Sequence, residues 1–328
     1  MMSIIDICKK PISILKNSTI SDIIKKLLEN NISRLIVVEN GKPVGIITEK
    51  DVGLFLFSET TKQGLDDIMI NKIMKPIIFI EETSTPENSA KMMLEKRVSS
   101  LAIGTKDNLR GIFTKTDLIK YYLENNSGNN KVVDFMTHEY IFTHTAAPLF
   151  KVVRKMLENK ISRIIVKDQN EKPVGIISFR DLFRISIELG SEEDDSGFTI
   201  SEQIRKGFLS EEGFGGISLA RDVMSKGIIS IKFNEDLKNA CKLILENNIS
   251  GLAVLDGNNS LVGIISKTDI IKDITVWANF KNILKQRILQ IVNMKLHFDN
   301  FIDDAVTTFT IDAGVVGTSF KVILYNLV

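Results

Sequence analysis

Four times the chain spells a glycine, two apolar residues, a hydroxyl residue and, three positions later, an aspartate. The copies are GIITEKD (Gly45 to Asp51), GIFTKTD (Gly111 to Asp117), GIISFRD (Gly175 to Asp181) and GIISKTD (Gly263 to Asp269). A hydroxyl and exposed amides at a helix start make a seat for an anion. An aspartate one turn further in can accept hydrogen bonds from two vicinal hydroxyls, as on a ribose. An apolar strand beside them gives a flat base a surface to lie on. The candidate diol acceptors are Asp51, Asp117, Asp181 and Asp269, and the candidate anion-side hydroxyls are Thr48, Thr114, Ser178 and Ser266.

The same pattern is also a variant capping box, in which hydroxyl and acid satisfy the free amides of a helix start. The chain carries its own control for that reading. A second class of helix start varies freely between copies: Thr19 with Asp22, Thr85 with Asn88, Asp236 with Asn239, and an Ala-Pro start around Pro148. Capping alone asks neither for the invariant aspartate nor for the glycine before it, and this favours a binding role.

The elements that must position these residues repeat as well. Upstream of each motif stand LLENNISRLIVV, MLEKRVSSLAIG, MLENKISRIIVK and ILENNISGLAVL, helical periodicity passing through a serine into a continuous apolar run. That order predicts a helix followed by a buried strand. Asn40-Gly41 predicts a tight hairpin turn, and Thr85-Pro86 a cap followed by proline at the first helical position. One unit is strand, helix, strand, strand, helix, an α/β (α+β) arrangement too small to bury much core alone. The units are expected to pair.

This repeat resembles the CBS domain, and the resemblance covers most of residues 1–275. It implies that two units pair about a pseudo-twofold axis into a Bateman module, with the motif lining a cleft for adenosine-containing ligands, the aspartate on the ribose and the hydroxyl near the phosphate. Four repeats in one chain resemble the architecture of the gamma subunit of AMP-activated protein kinase. The implied domains are repeat 1 at 1–60, repeat 2 at 67–125, repeat 3 at 131–188, an insert at 189–218, repeat 4 at 219–275, and an appended element at 276–328. Arg34 and Arg163 follow the serine of ISR in repeats 1 and 3, and Lys115 and Lys267 stand two residues before the motif aspartate in repeats 2 and 4. These positions resemble phosphate contacts in nucleotide-binding members. Pairing 1 with 2 and 3 with 4 would give each module one arginine and one lysine. Repeats 1 and 3 carry Glu49 and Phe179 at the lysine position.

Composition narrows the alternatives. The net charge of +1 supplies no bulk field for nucleic acid or an anionic membrane. No apolar run reaches the roughly 18 residues of a transmembrane helix, and two cysteines, Cys8 and Cys241, give no disulfide framework. A reducing cytoplasm is the expected compartment. His138, His144 and His297 have no metal-ligand spacing, EGFGG follows no strand, and no P-loop is present, so an enzyme is not expected. Met92, Met93, Met156 and Trp277 read as core. The acidic SEEDDSG reads as a loop, ISEQIRKGFL as a helix, and residues 280–296 as a helix before two strands, AVTTFTI and FKVILYNLV. The leading expectation is a non-catalytic regulatory sensor of cellular energy, binding AMP, ADP, ATP or a related adenosyl ligand and passing occupancy to a protein partner or through self-association. The alternative is a repeat scaffold that docks on a macromolecule such as the ribosome or a transcription complex.

Overall fold

The structure, a computed structural model, describes residues 3–58, 65–125, 130–183, 219–276, 307–312 and 319–324. It divides into two compact units, Met1–Ile271 and Lys272–Val328. The expected helices at 200–209 and 280–296, the acidic loop, and Trp277 lie outside the described residues. In the second unit, Thr307–Asp312 and Ser319–Leu324 pair antiparallel, the two expected strands.

Among the described residues the first unit holds four sheets, one for each repeat, three of them three-stranded and that of repeat 3 four-stranded. Repeat 1 contains β1 (Ser13–Leu15), β2 (Arg34–Glu39) and β3 (Lys42–Thr48) in that order. The outer strand β1 runs parallel to β2, and β2 runs antiparallel to β3. A parallel neighbour requires a crossover, which the helix Ile20–Glu29 provides. Its apolar positions Ile20, Ile23, Ile24 and Leu27 are all buried beneath the sheet, as the 3.6-residue period demands. Thr19 caps this helix and Thr85 caps the equivalent Pro86–Glu95, with proline at its first position. Asn40 and Gly41 have φ of 51° and 76°, the two positive values that a type I′ hairpin needs.

Repeat 2 adds β4 (Phe79–Ile80), β5 (Ser100–Gly104) and β6 (Leu109–Thr114); repeat 3 adds β7 (Phe142–His144), β8 (Arg163–Lys167) and β9 (Pro173–Ser178). Beside β9 lies the short β10 (Ser225–Lys226). Repeat 4 contains β11 (Ser230–Lys232), β12 (Gly251–Leu255) and β13 (Leu261–Ser266). Every sheet repeats the parallel-then-antiparallel pairing of the first. In every repeat the antiparallel pair of its second and third strands also breaks register at one place, just before the motif glycine, so that Val44, Arg110, Val174 and Val262 are skipped. A bulge of this kind re-aims the rest of its strand, and in each repeat the re-aimed stretch carries the motif.

One buried cluster joins repeats 1 and 3. It runs from Ile14, Ile23 and Leu35 through Val52 and Phe55 to Val152, Met156, Ile164, Phe179 and Phe183. Met93 and Met156 are fully buried, as expected for core, whereas Met92 is half-buried. Repeats 2 and 4 meet where the helix Lys115–Asn125 packs on Leu237–Glu246.

Candidate functional site

The four motif aspartates have one geometry. In each copy Oδ2 accepts two bonds from the hydroxyl residue, one from its backbone N–H and one from its side chain. For Asp51 the distances are 2.9 and 2.6 Å from Thr48 N and Oγ1, and for Asp117 they are 2.9 and 2.7 Å from Thr114. Asp181 accepts at 2.7 and 2.6 Å from Ser178, and Asp269 at 3.0 and 2.6 Å from Ser266. The capping geometry is thus realised in all four copies. It consumes one carboxylate oxygen and fixes where the other points.

That other oxygen, Oδ1, faces a residue from a different repeat. Lys75 Nζ forms an ion pair with Oδ1 of Asp51, and Lys9 Nζ lies 3.9 Å from Oδ1 of Asp117. The Ser225 hydroxyl donates to Oδ1 of Asp181 at 2.8 Å, and Thr137 Oγ1 lies 3.5 Å from Oδ1 of Asp269. These four residues end four equivalent leader segments, each a short turn: Ile4–Asp6, Ile70–Lys72, Val132–Phe135 and Ala220–Val223. After its turn each leader crosses to the other repeat of its pair and lies antiparallel on the motif strand. Lys9 pairs with Ile112, Lys75 with Ile46, Thr137 with Ile264, and Ser225 with Ile176. In each case the partner is the residue after the motif glycine, so repeat 1 exchanges leaders with repeat 2, and repeat 3 with repeat 4.

The crossing explains the glycine. A Cβ at Gly263 would stand 2.7 Å from the Thr137 carbonyl oxygen, and one at Gly175 would stand 2.8 Å from that of Ser225. A methyl group at Gly45 would collide with the Met74 side chain, and one at Gly111 with Cys8. Gly263→Ala is expected to push the leader off the strand at a cost of about 1–3 kcal/mol, read from the midpoint of urea unfolding. A cost below about 0.5 kcal/mol would mean that the leader is not seated there.

Sequence reasoning missed the leaders, although they carry a signal: IDICK, NKIMK, VDFMT and RDVMS repeat an apolar residue, a sulfur-bearing residue and a polar terminus. Cys8, informative in the sequence only for redox compartment, takes the place of three methionines. Asp6, Asp134 and Asp222 each accept the backbone N–H that opens their turn.

The repeats pair 1 with 2 and 3 with 4, giving each module one arginine and one lysine, and the lysines bond beyond their own module. Lys115 reaches into repeat 4, donating to Thr268 Oγ1 at 2.8 Å, and Lys267 reciprocates onto Thr116 Oγ1 at 2.8 Å. Arg34 donates to the Ser99 carbonyl at 3.0 Å and to Ser33 Oγ at 2.9 Å. Its Nε is, among the described residues, the one buried side-chain nitrogen or oxygen without a hydrogen-bond partner. Burial pushes the Arg34 guanidinium below its ordinary value, while Asp117 and Glu49 oppose the shift. Burial, with Arg163, Arg34 and Lys9 nearby, brings the Lys267 amine down to about 8 against the pull of Asp117. The cations thus converge across all four repeats. Arg163 is exposed as a residue, yet burial of its guanidinium pushes that group below its ordinary value against the pull of Glu49.

Glu49 and Phe179, which break the lysine pattern, join repeats 1 and 3. Arg180 grips Glu49 Oε1 at 2.8 and 2.6 Å and also donates to Asn31 and to the Ile32 carbonyl. Phe179 is 1% exposed, and its ring abuts the backbone of Gly53. Beside Asp117 lies a cleft of about 160 Å³ lined by Ile7, Lys120, Tyr121 and Glu124. Among the described residues no group of three or more His, Cys, Asp or Glu could hold a metal ion, and no helix is long and apolar enough to cross a membrane.

Comparison with known proteins matches the repeats one by one. The family model for the CBS domain fits residues 4–55, 66–124, 132–188 and 220–275. An uncharacterized protein of Methanocaldococcus jannaschii, MJ1225, is 26% identical over 285 residues, covering 80% of this chain and 95% of that one. Its crystal structure, described as a candidate archaeal homologue of γ-AMPK, superposes with a TM-score of 0.70 over 83% of this chain and 99% of that chain. A conserved uncharacterized protein from Pyrococcus horikoshii shares the fold, with a TM-score of 0.54 at 18% identity over 83% of this chain and all of that one. A Methanopyrus kandleri protein, MK0525, is 25% identical over 122 residues, 37% of this chain and 51% of that one.

Proposed function

Since the chain belongs to the CBS domain family and carries four copies of the domain, we propose that it is a non-catalytic regulatory protein that binds AMP, ADP, ATP or a related adenosyl ligand and passes occupancy to a partner. The observation that carries this reading is the convergence of positive charge on a guanidinium with an unused, buried N–H. Arg34 Nε is unpaired, and burial, with Arg163 and Arg34 nearby, depresses the Lys267 amine. Gathering cations in a desolvated place costs stability, and a bound phosphate would recover it through charge-assisted hydrogen bonds. In this reading Asp117, Asp181 and Asp269 hold ribose hydroxyls through Oδ1, and Thr114, Ser178 and Ser266 lie toward the phosphate.

The transmitting element is the leader. The cleft at Asp117 is smaller than the roughly 300–1,000 Å³ of ordinary ligand sites. A nucleotide entering it displaces Lys9 and shifts the leader, which belongs to the other repeat of the pair. A ligand changes an equilibrium only by binding two conformations unequally, and here the conformations differ in leader position. The two-cysteine composition supports a cytoplasmic setting.

The test is thermal unfolding of the full chain with AMP, ADP, ATP and S-adenosylmethionine, each at millimolar concentration. A ligand present at 100 times its dissociation constant adds about 2.7 kcal/mol, a rise of roughly 5–10 °C in midpoint for a folded region of this size. The rise should shrink in Asp117→Ala, Asp181→Ala or Asp269→Ala, measured as the ligand-induced difference because the apo midpoint also falls with the lost cap. No shift with any of the four ligands would overturn the sensor. It would point instead to a scaffold docking through Lys272–Val328, for which loss of partner capture on deleting residues 276–328 is the corresponding experiment.

A further inference from the structure

We propose that the cleft at Asp51 is held shut by the chain's own Lys75, so that the four clefts are unequal and an adenosyl ligand reaches Asp51 only by displacing that amine. This rests on the reading of the motif aspartates as ribose sites. Asp51 is 6% exposed, its Oδ2 is consumed by Thr48, and its Oδ1 is ion-paired with Lys75. The lysine is well placed for this. Its backbone is clamped to Ile46 by reciprocal bonds of 3.0 and 2.9 Å, so the side chain starts from a fixed point beside the carboxylate. The equivalent oxygen of Asp181 accepts from the Ser225 hydroxyl at 2.8 Å. A ribose hydroxyl replaces a serine hydroxyl like for like, whereas at Asp51 it must replace a cation.

The other end of the same cleft is also filled from within. The residue after Thr48 is Glu49, and its carboxylate sits at the helix start where a phosphate would seat, gripped by Arg180 of repeat 3. An acid in that position repels an incoming phosphate, and its salt bridge spends the negative charge on joining repeats 1 and 3. At Asp117 the leader lysine stands off at 3.9 Å and the motif position holds Lys115, so neither obstacle has the same force. The chain thus uses the Asp51 copy of the motif to hold structure and leaves ligand binding to the others.

Titration of the full-length protein with AMP tests this by gain of binding. Lys75→Ser installs the residue that the chain itself uses at Ser225; Lys75 is 58% exposed, and its substitution leaves the core untouched. The expected result is additional AMP bound per chain, or tightening of the weakest site by up to about fivefold, the worth of a partly exposed ion pair. The added binding should disappear in Lys75→Ser/Asp51→Ala and be absent in Lys75→Arg, which keeps the cation. Wild-type protein that binds AMP, with unchanged stoichiometry and affinities in Lys75→Ser and in Lys75→Ser/Glu49→Gln, overturns the inference alone. Absence of AMP binding in the wild type and in both variants overturns the inference together with the reading on which it rests.

Discussion

Replacing Phe179 by alanine is expected to cost about 3–5 kcal/mol of stability, the range for truncating a buried phenylalanine. The ring is 1% exposed and belongs to the buried cluster that includes Val52 and Phe55 of repeat 1 and Phe183 of repeat 3. A Cβ on Gly53 would stand only 2.5 Å from a ring carbon, so the ring lies directly on the backbone of the facing helix. Collapse around the lost ring is restricted because that backbone is helical and held by its own hydrogen bonds. The cost falls on the contact between repeats 1 and 3, so the unfolding transition should also broaden as the two modules uncouple. Phe179→Leu keeps most of the volume and is expected to lose less than about 1.5 kcal/mol. Urea unfolding followed by circular dichroism checks both. A cost for Phe179→Ala below about 1 kcal/mol would show that the modules do not share this core.

Nucleotide affinity should weaken as pH rises above about 8, by up to tenfold per pH unit, and Lys267 should be the reason. Its amine is brought down to about 8 by burial and by Arg163, Arg34 and Lys9. Below that pH the amine is charged and available to a phosphate; above it the apo protein has lost the proton and binding must take it up again. AMP is already a dianion over this range, since a phosphate's second ionisation lies near 6, so the ligand adds no titration of its own. The apo protein moves in the opposite sense. The folded value lies below the ordinary 10.5, so between about 8 and 10.5 the unfolded chain holds more protons and stability rises with pH. Lys267→Arg, charged throughout, should keep affinity and flatten the profile, while Lys267→Met should weaken binding at pH 7 and flatten it as well. Calorimetric titration with AMP at several pH values separates these cases, and an unchanged slope in Lys267→Met would exclude this lysine.

Much of the fold was legible because it is written four times. The crossover helices, the buried second strands and the Asn40-Gly41 hairpin follow from local periodicity and turn chemistry, and the pairing of units from the small core one unit can bury alone. The aspartates were legible as polar groups at helix starts, and in every copy the capping half of that reading takes Oδ2, while Oδ1 faces a residue of the paired repeat. Contacts between one repeat and another escaped. A leader such as NKIMK is too short to show a period, and its partner strand lies in another copy. The glycine was recognised as more than capping requires, but its cause, the backbone of a crossing leader, lies outside its own repeat. The bonds of Lys115 to Thr268 and of Lys267 to Thr116 were not legible, since nothing in a repeat says which helix faces it across the module boundary. Glu49 and Phe179 registered only as departures from a pattern, and they are contacts that join the modules.

The exchange of leaders also governs how the chain can assemble during synthesis. Within each module one closure is short, joining Ile46 to Lys75 or Ile176 to Ser225, and one is long, joining Lys9 to Ile112 or Thr137 to Ile264. Closing a longer loop costs more entropy, and a chain made from its N-terminus delivers the Lys9 leader well before the strand that receives it. Until residue 112 is made, the Lys9 end of that leader has no strand to lie on, although its start can already bond to Ser84. Two nascent chains on neighbouring ribosomes each offer the other what it lacks. Trading the first leader between them would complete both modules with every native contact intact, so a domain-swapped dimer is the characteristic assembly error of this architecture.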